Sequence, residues 1–375
     1  MLKIALAQIP VIPGHPAKNA ETIRKYIHTA REAGTDLIVF PEMAVPGYLL
    51  GDTWEQPAFL EDCEIYGKEI IADTQNIAVM FGNVAIDPAK KNNDGRVRKY
   101  NALFTAQNGA LIAPETFPYP FLIKTLLPNY REFDDSRYFF SLPKLAQELG
   151  KKPADLISPL KLKIHDKTYT IGALLCEDGW SDDYALSPLQ ILSAKNRLDF
   201  VVNLSASPYT LGKNEKRHCV FGRQAAAIHT PILYINNVGI QNNGKTVYTF
   251  DGDSTVYDRR GLIRAAAKAY QETLLSVTLE ALEEMPEISP PKKTEAENIF
   301  PALAYGLRHF LSAIKMKRVV IGLSGGIDSA VAAALYCHVL GPKNILLLNM
   351  PSRFSSTTTQ KLAVQMAKNL GCRYA

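Results

Sequence analysis

Apolar residues fall into short continuous runs, separated by longer stretches in which apolar and charged positions recur with helical spacing. Lys3 to Ile9, Asp36 to Phe40 (DLIVF), Ile77 to Val84, Tyr100 to Gln107 (YNALFTAQ), Phe200 to Leu204 (FVVNL) and Ile232 to Asn236 have the length of strands, and several have the continuous apolarity of strands buried on both faces. Between them the spacing predicts helices at Ala20 to Ala33, near Pro57 to Thr74, at Pro188 to Arg197 and at Arg217 to Ile228. Asn19 is placed to cap the first helix and Gly34 to stop it. Leu162 to Tyr169 and Thr170 to Leu175 read as a hairpin, and Leu274 to Leu279 as a closing strand. Turns are expected around Lys90 to Arg98, at Asn108-Gly109 and around Asn242 to Gly244. Pro114 to Pro143, rich in proline and aromatic residues, reads as an extended functional loop. The alternation defines an α/β protein.

The pattern breaks at Glu280 to Glu297, where Pro286, Pro290 and Pro291 stand among mixed charges. This is a linker, which predicts a domain over 1–279, a linker over 280–297 and a second domain over 298–375. In the second domain Ile299 to Lys315 has helical spacing and Arg318 to Leu323 (RVVIGL) is a strand. Ser324 to Ser329 is a glycine turn, followed by a helix at Ala330 to Leu340, a strand at Ile345 to Met350 and a helix at Thr359 to Leu370. That is one and a half βαβ units, too little to bury a parallel sheet alone, so the second domain reads as incomplete.

Composition narrows the class. The 375 residues are 47% hydrophobic and 21% charged, an ordinary globular balance. A net charge of +5, scattered along the chain, gives no argument for nucleic acid and does not repel phosphorylated substrates. The cysteines Cys63, Cys176, Cys219, Cys337 and Cys372 are odd in number and widely spaced. They fit neither a disulfide framework nor a zinc site, and point to a reducing cytoplasm. No run has the length of a membrane span, so no membrane role is expected.

Candidate chemistry gathers where buried strands end. Ile171 to Leu175 runs into Cys176, then Glu177, Asp178 and Gly179. In α/β sheets the carboxyl edge of the strands faces a crevice where ligands bind, which marks Cys176 as a nucleophile. A thiol needs a base or a positive neighbour. His165 and His218 have no context that marks them, whereas Glu42 stands at the end of a buried strand as Cys176 does. If both strands belong to one sheet, the partly desolvated Glu42 carboxylate faces the same crevice and is placed to act as general base. Lys124, in the loop Phe121 to Tyr130, offers fixed positive charge for an oxyanion. In the second domain a strand, the glycine turn SGGIDS and an alanine-rich helix form an arrangement in which backbone N–H groups and a helix N-terminus receive an anion.

FPEMAVPGY at Phe40 to Tyr48, KTLLPNYREFDD at Lys124 to Asp135 and LLCEDGW at Leu174 to Trp180 resemble, in order, the three motifs of the nitrilase superfamily. The resemblance implies an N-terminal α-β-β-α sandwich and a Glu42–Lys124–Cys176 triad. In that triad Glu42 is the base, Lys124 stabilises the tetrahedral intermediate and Cys176 forms a γ-glutamyl thioester, with no cofactor needed. LPNY after the lysine, CEDGW and NLSASPY resemble the glutaminase domains of the glutamine-dependent NAD synthetase family. That resemblance puts glutamine contacts on Tyr130, Glu177, Ser207 and Lys213. REF stands where the family reads GVF, which leaves open which of Glu132, Asp134 and Asp135 is the supporting carboxylate.

SGGIDS resembles the PP-loop of ATP pyrophosphatases, a doubly wound α/β family of adenine nucleotide hydrolase-like domains. It implies an ATP site over Gly322, Leu323, Ser324, Gly325, Gly326, Ile327, Asp328 and Ser329, with Asp328 on Mg²⁺. MPSRFSS at Met350 to Ser356 is similar to a segment of NAD synthetases. Together these imply glutamine, ATP and nicotinic acid adenine dinucleotide as substrates and a homo-oligomer. A second reading leaves the chain as a stand-alone glutaminase or amidase whose PP-loop segment is inactive or docks a partner.

Overall fold

The computed structural model describes residues 1–92, 94–114, 117–242, 244 and 246–375. The expected turns at Lys90 to Arg98 and Asn242 to Gly244 include Asn93 and Asn243, and the loop from Pro114 includes Glu115 and Thr116. These four lie outside the described residues. The chain divides into two compact units, Met1–Pro291 and Lys292–Ala375.

Among the described residues the first unit holds two large sheets. One runs in the order Thr273–Thr278, Lys3–Gln8, Leu37–Val39, Ala78–Lys91, Val97–Gln107, Ala110–Leu111, with Leu122–Ile123 also paired to Val97–Gln107. The other runs Ile263–Ala266, Thr255–Tyr257, Ile232–Asn236, Phe200–Ser205, Lys167–Leu175, Leu160–Ile164. Successive strand side chains point to opposite faces, and this alternation builds the layers. Ile4, Leu6, Leu37 and Val39 of the first sheet pack on Ile171, Leu175, Val202 and Leu204 of the second, forming the central core. Ala5, Ala7 and Ile38 face the other way, onto Ile23 and Ile27 of the helix Pro16–Glu32. On the far side Val201, Ile232 and Tyr234 receive Leu192 of Pro188–Lys195 and Phe221 of Lys213–Ile228. The result is the α-β-β-α sandwich expected for the N-terminal part.

Several boundaries move, for local reasons. The first helix begins at Pro16, so Asn19 lies within it. Proline at the first helical position starts the helix instead, and the buried Asn19 side chain bonds Ile12 N and O and Val45 O. The hairpin turn falls at His165-Asp166, between Leu160–Ile164 and Lys167–Leu175, not near residue 170. The helix expected from Arg217 starts at Lys213, after Gly212 in a left-handed conformation (φ +75°). The loop 114–143 contains the short strand Leu122–Ile123 and a helical turn at Asp135–Tyr138.

Glu42 and Cys176 do not share a sheet. Leu37–Val39 belongs to the first sheet and Lys167–Leu175 to the second. Leu37–Val39 is parallel to both its neighbours, and Phe200–Ser205 is parallel to Lys167–Leu175 and Ile232–Asn236. The carboxyl ends that carry Glu42, Cys176 and Ser207 nevertheless converge, since Ala206 N donates to Glu42 Oε2 across the two sheets at 3.0 Å. Gly82 permits the approach from within its own sheet, because a Cβ there would collide with the backbone of Glu42 and Met43.

In the second unit the helix Glu295–Ala313 is capped by a Thr294–Glu297 box. Three parallel strands follow, Val319–Gly322, Ile345–Leu348 and Arg373–Tyr374, with helices Ile327–Leu340 and Thr357–Leu370 between them. Leu323, Ala333, Ile345, Leu347, Ala363 and Ala367 make its core. The first of these helices starts at Ile327, so Asp328 and Ser329 lie in its first turn and not in the glycine turn before it.

Candidate active site

Lys124 follows the two-residue strand Leu122–Ile123 and is buried, its backbone N–H donated to Asn101 O at 2.9 Å. Its ammonium lies 2.8 Å from Glu42 Oε1 and 3.0 Å from Asp135 Oδ2. It also donates to Tyr48 OH at 3.2 Å, and that hydroxyl donates to Asp135 Oδ1 at 2.7 Å. Asn101 Nδ2 donates to Glu42 Oε1 at 2.7 Å, so both Glu42 oxygens are engaged. Of the three carboxylates left open by sequence, Asp135 is the one that meets the lysine.

Burial works against charge on Lys124, but Asp135 and then Glu42 overcome it and hold its pKa well above the usual value. Burial pushes the Asp135 carboxyl up to about 6, with Lys124 pulling it back. Two carboxylates around one ammonium leave a surplus negative charge beside the thiol when all are ionised. Burial, and then Glu42, accordingly raise the Cys176 pKa well above the usual thiol value, with Lys124 opposing. Cys176 therefore rests as a thiol, a state that suits a cysteine deprotonated only during an attack. Cys176 itself sits at φ +42°, a conformation that ordinary side chains seldom adopt and that cysteine occupies here at the sharp turn leaving Leu175.

Above the thiol is a cleft of about 790 Å³ lined by Tyr130, Cys176, Glu177, Ser207 and Lys213, with Tyr184 on its wall. The cleft thus brings together Cys176 and the four residues assigned to substrate by resemblance. Tyr130 and Tyr184 both donate to the Glu177 carboxylate, at 3.0 and 2.8 Å. Ser207 is held by its backbone, with its N–H on Asn236 Oδ1 and its C=O receiving Asn236 Nδ2. Half-buried Lys213 donates to Pro208 O at 3.1 Å, and burial lowers its pKa while Cys176 opposes the shift. His165 and His218 are engaged elsewhere, with Asp36 and with Tyr257 respectively. Sequence reasoning missed Tyr48, Asn101 and Tyr184. Only Tyr48, inside the FPEMAVPGY motif, carried a local signal.

At the glycine turn of the second unit, Gly325 adopts φ +82° and a Cβ on it would collide with the Thr359 backbone. Ser324 Oγ lies 3.1 Å from Ser329 Oγ and accepts from Gly326 N. Gly322 is in the strand, and buried Leu323 donates its N–H to Leu348 O, so both position the turn from within the sheet. Ser324, Gly326, Ile327 and Asp328 are exposed. Among the described residues there is no group of three or more His, Cys, Asp or Glu side chains able to hold a metal, and no helix is long and apolar enough to cross a membrane.

A cysteine at a strained strand end, with a buried lysine bracketed by carboxylates, is the constellation of an enzyme that opens carbon–nitrogen bonds, and the chain belongs to the carbon–nitrogen hydrolase family, whose model matches residues 3–285. The NAD synthase family model matches residues 299–375. Over its whole length the chain is similar to named synthetases. A glutamine-dependent NAD(+) synthetase of Synechocystis is 31% identical over 99% of this chain and 63% of its own length. One from Thermotoga maritima is 29% identical over 99% and 64%. The chain therefore spans less than two thirds of the length of these relatives.

Among solved structures, the glutamine-dependent NAD+ synthetase of Acinetobacter baumannii, in complex with adenosine diphosphate, matches with a TM-score of 0.80 and 26% identity. That match covers 100% of this chain and 64% of that one. A carbon–nitrogen hydrolase from Helicobacter pylori, TM-score 0.57 at 17% identity, covers 76% of this chain and 91% of its own, and shows the sandwich fold.

Proposed function

We propose that this chain is a glutamine-hydrolysing NAD synthetase. The first unit releases ammonia from glutamine and the second uses ATP to activate nicotinic acid adenine dinucleotide for amidation. The observation that carries the reading is the order of two family matches in one chain, with glutamine-dependent NAD(+) synthetases similar across 99% of it. In the first unit Cys176 Sγ attacks the side-chain carboxamide while Glu42 takes the thiol proton. Lys124, held protonated by its two carboxylates, stabilises the oxyanion. Glu42 returns the proton to the leaving ammonia, and a γ-glutamyl thioester remains. Water, deprotonated by Glu42, then releases glutamate.

Glu177, held by Tyr130 and Tyr184, suits the substrate ammonium, and Lys213 suits its carboxylate, with Ser207 also on the cleft wall. This step needs no cofactor. In the second unit Ser324 to Ser329 would receive the ATP phosphates at the helix N-terminus. Asp328, a lone carboxylate there, suits a Mg²⁺ ion that arrives on those phosphates, since Mg²⁺ keeps much of its coordination for water and phosphate. The dinucleotide's carboxylate attacks the α-phosphorus of ATP and pyrophosphate leaves; ammonia then attacks the acyl adenylate, and AMP leaves. Homo-oligomeric assembly and a cytoplasmic setting belong to the same proposal.

The test supplies glutamine, ATP, Mg²⁺ and nicotinic acid adenine dinucleotide to the purified chain and quantifies glutamate and NAD in one sample. Both products are expected. Glutamate alone would confine the activity to the first unit, and neither product would overturn the reading.

A further inference from the structure

Asp178, two residues past the nucleophile, has no part in the chemistry described above, yet it is 3% exposed and accepts from three backbone N–H groups. Its Oδ1 receives Leu126 N at 2.8 Å and Thr125 N at 3.1 Å, and its Oδ2 receives Leu175 N at 3.3 Å. Thr125 adjoins Lys124, and Leu175 adjoins Cys176. The lysine follows a strand of the first sheet and the cysteine a strand of the second. One carboxylate thus spans the two halves of the active site.

We propose that Asp178 is a positioning residue, a clasp that holds the Lys124 loop in register with the Cys176 turn, and that amide hydrolysis requires its carboxylate as an acceptor of those three N–H groups. The inference rests on the first unit acting as an amide hydrolase.

The hydrogen-bond partners of the carboxylate are N–H donors, so a proton on it would face N–H groups and remove an acceptor. The charged and titratable groups around it are few. Lys124 approaches from the loop, and on its own turn Cys176 and Glu177 are neighbours in sequence, Glu177 being turned toward Tyr130 and Tyr184. The small cavity on its other side is lined by groups that do not titrate, among them Leu122, Leu142, Ser158, Pro188 and Leu192. Burial raises the Asp178 pKa to about 7, with Leu126 N–H and Lys124 opposing. The clasp therefore opens near neutrality as pH falls.

Asp178→Asn keeps the shape but sets an amide NH₂ against backbone N–H groups. A displacement of order 1 Å at a reacting group costs about 10²-fold in rate. The variant is expected to lose kcat on that scale with KM within about twofold, and to lack the acid limb expected of wild type near pH 7. Unchanged kcat with an unchanged acid limb would overturn the proposal.

Alkylation of Cys176 by iodoacetamide, followed by peptide mass against pH, needs no substrate. An inflection near pH 7 in wild type that vanishes in Asp178→Asn supports the clasp even if glutamine proves not to be the substrate, and its absence from wild type counts against it. If the variant does not fold, hydrogen exchange of the Thr125 and Leu126 amides in wild type decides. Protection that falls selectively below pH 7 is expected, and protection unchanged across that range would overturn the clasp.

Discussion

Glu42, Lys124 and Asp135 in the first unit are each less than 5% exposed, whereas Ser324, Gly326 and Asp328 in the second stand in solvent. The first site works with side chains whose charges hold one another in place inside a low-dielectric core. The second presents a glycine turn and a helix N-terminus, where the backbone supplies the donors and the side chains are short. Where a buried charged cluster also serves catalysis, chemistry and folding are entangled, because an unpaired charge there is costly. At the exposed turn the two separate, since a surface side chain contributes little to stability.

Substitutions at the two sites test that contrast. Cys176→Ala is expected to remove glutamine hydrolysis by about 10³-fold or more while the thermal unfolding midpoint stays near wild type, because the thiol carries no charge to strand. Lys124→Ala leaves Glu42 and Asp135 without their cation, and denaturant unfolding should report a loss of about 3–5 kcal/mol together with lost hydrolysis. Its counterpart Asp328→Ala should shift stability by no more than about 0.5 kcal/mol and spare glutamine hydrolysis, yet stop ATP cleavage. A destabilisation by Asp328→Ala comparable to that of Lys124→Ala would erase the distinction.

Glu177→Gln removes the charge that two tyrosines aim into the cleft. A charge-assisted hydrogen bond contributes about 1.5–3 kcal/mol, so KM for glutamine should rise by roughly ten- to a hundredfold with a smaller change in kcat.

A further test is pH dependence. Asp135 and Asp178, with ordinary values of 3.8, are raised to about 6 and about 7 in the fold. The folded state therefore holds these protons to higher pH than the unfolded chain does. Their stabilising contribution is present in full below about 3.8, declines as pH rises, and is gone above about 7. Removing the Asp178 carboxyl by Asp178→Asn should flatten the upper part of that slope in chemical denaturation between pH 4 and 7.

The same contrast explains what could be read from the sequence. Continuous apolar runs located the strands, and the polar residues at their carboxyl ends marked Glu42 and Cys176 without any knowledge of pairing. Which strands pair is a non-local matter, so the placement of Glu42 and Cys176 on different sheets was invisible. Glu132, Asp134 and Asp135 are equivalent acids in a loop, and only the path of that loop turns Asp135 toward Lys124. Asn19 looked like a cap because its chemistry suits one, but Pro16 began the helix earlier and left the asparagine to tie Ile12 to Val45. Asp178 follows Cys176 within a polar turn, and nothing local showed that its carboxylate would meet a loop some fifty residues earlier in the chain. The glycine turn, by contrast, is a local device, and its left-handed Gly325 follows from the residues themselves.

The most direct test of the account is an acid-quenched single turnover of glutamine, with peptide mass analysis of the segment that contains Cys176. A glutamyl adduct on Cys176 is expected that forms before glutamate is released and is absent from Cys176→Ala. Glutamate released by Cys176→Ala, or released by wild type through an adduct on any other residue, would contradict it.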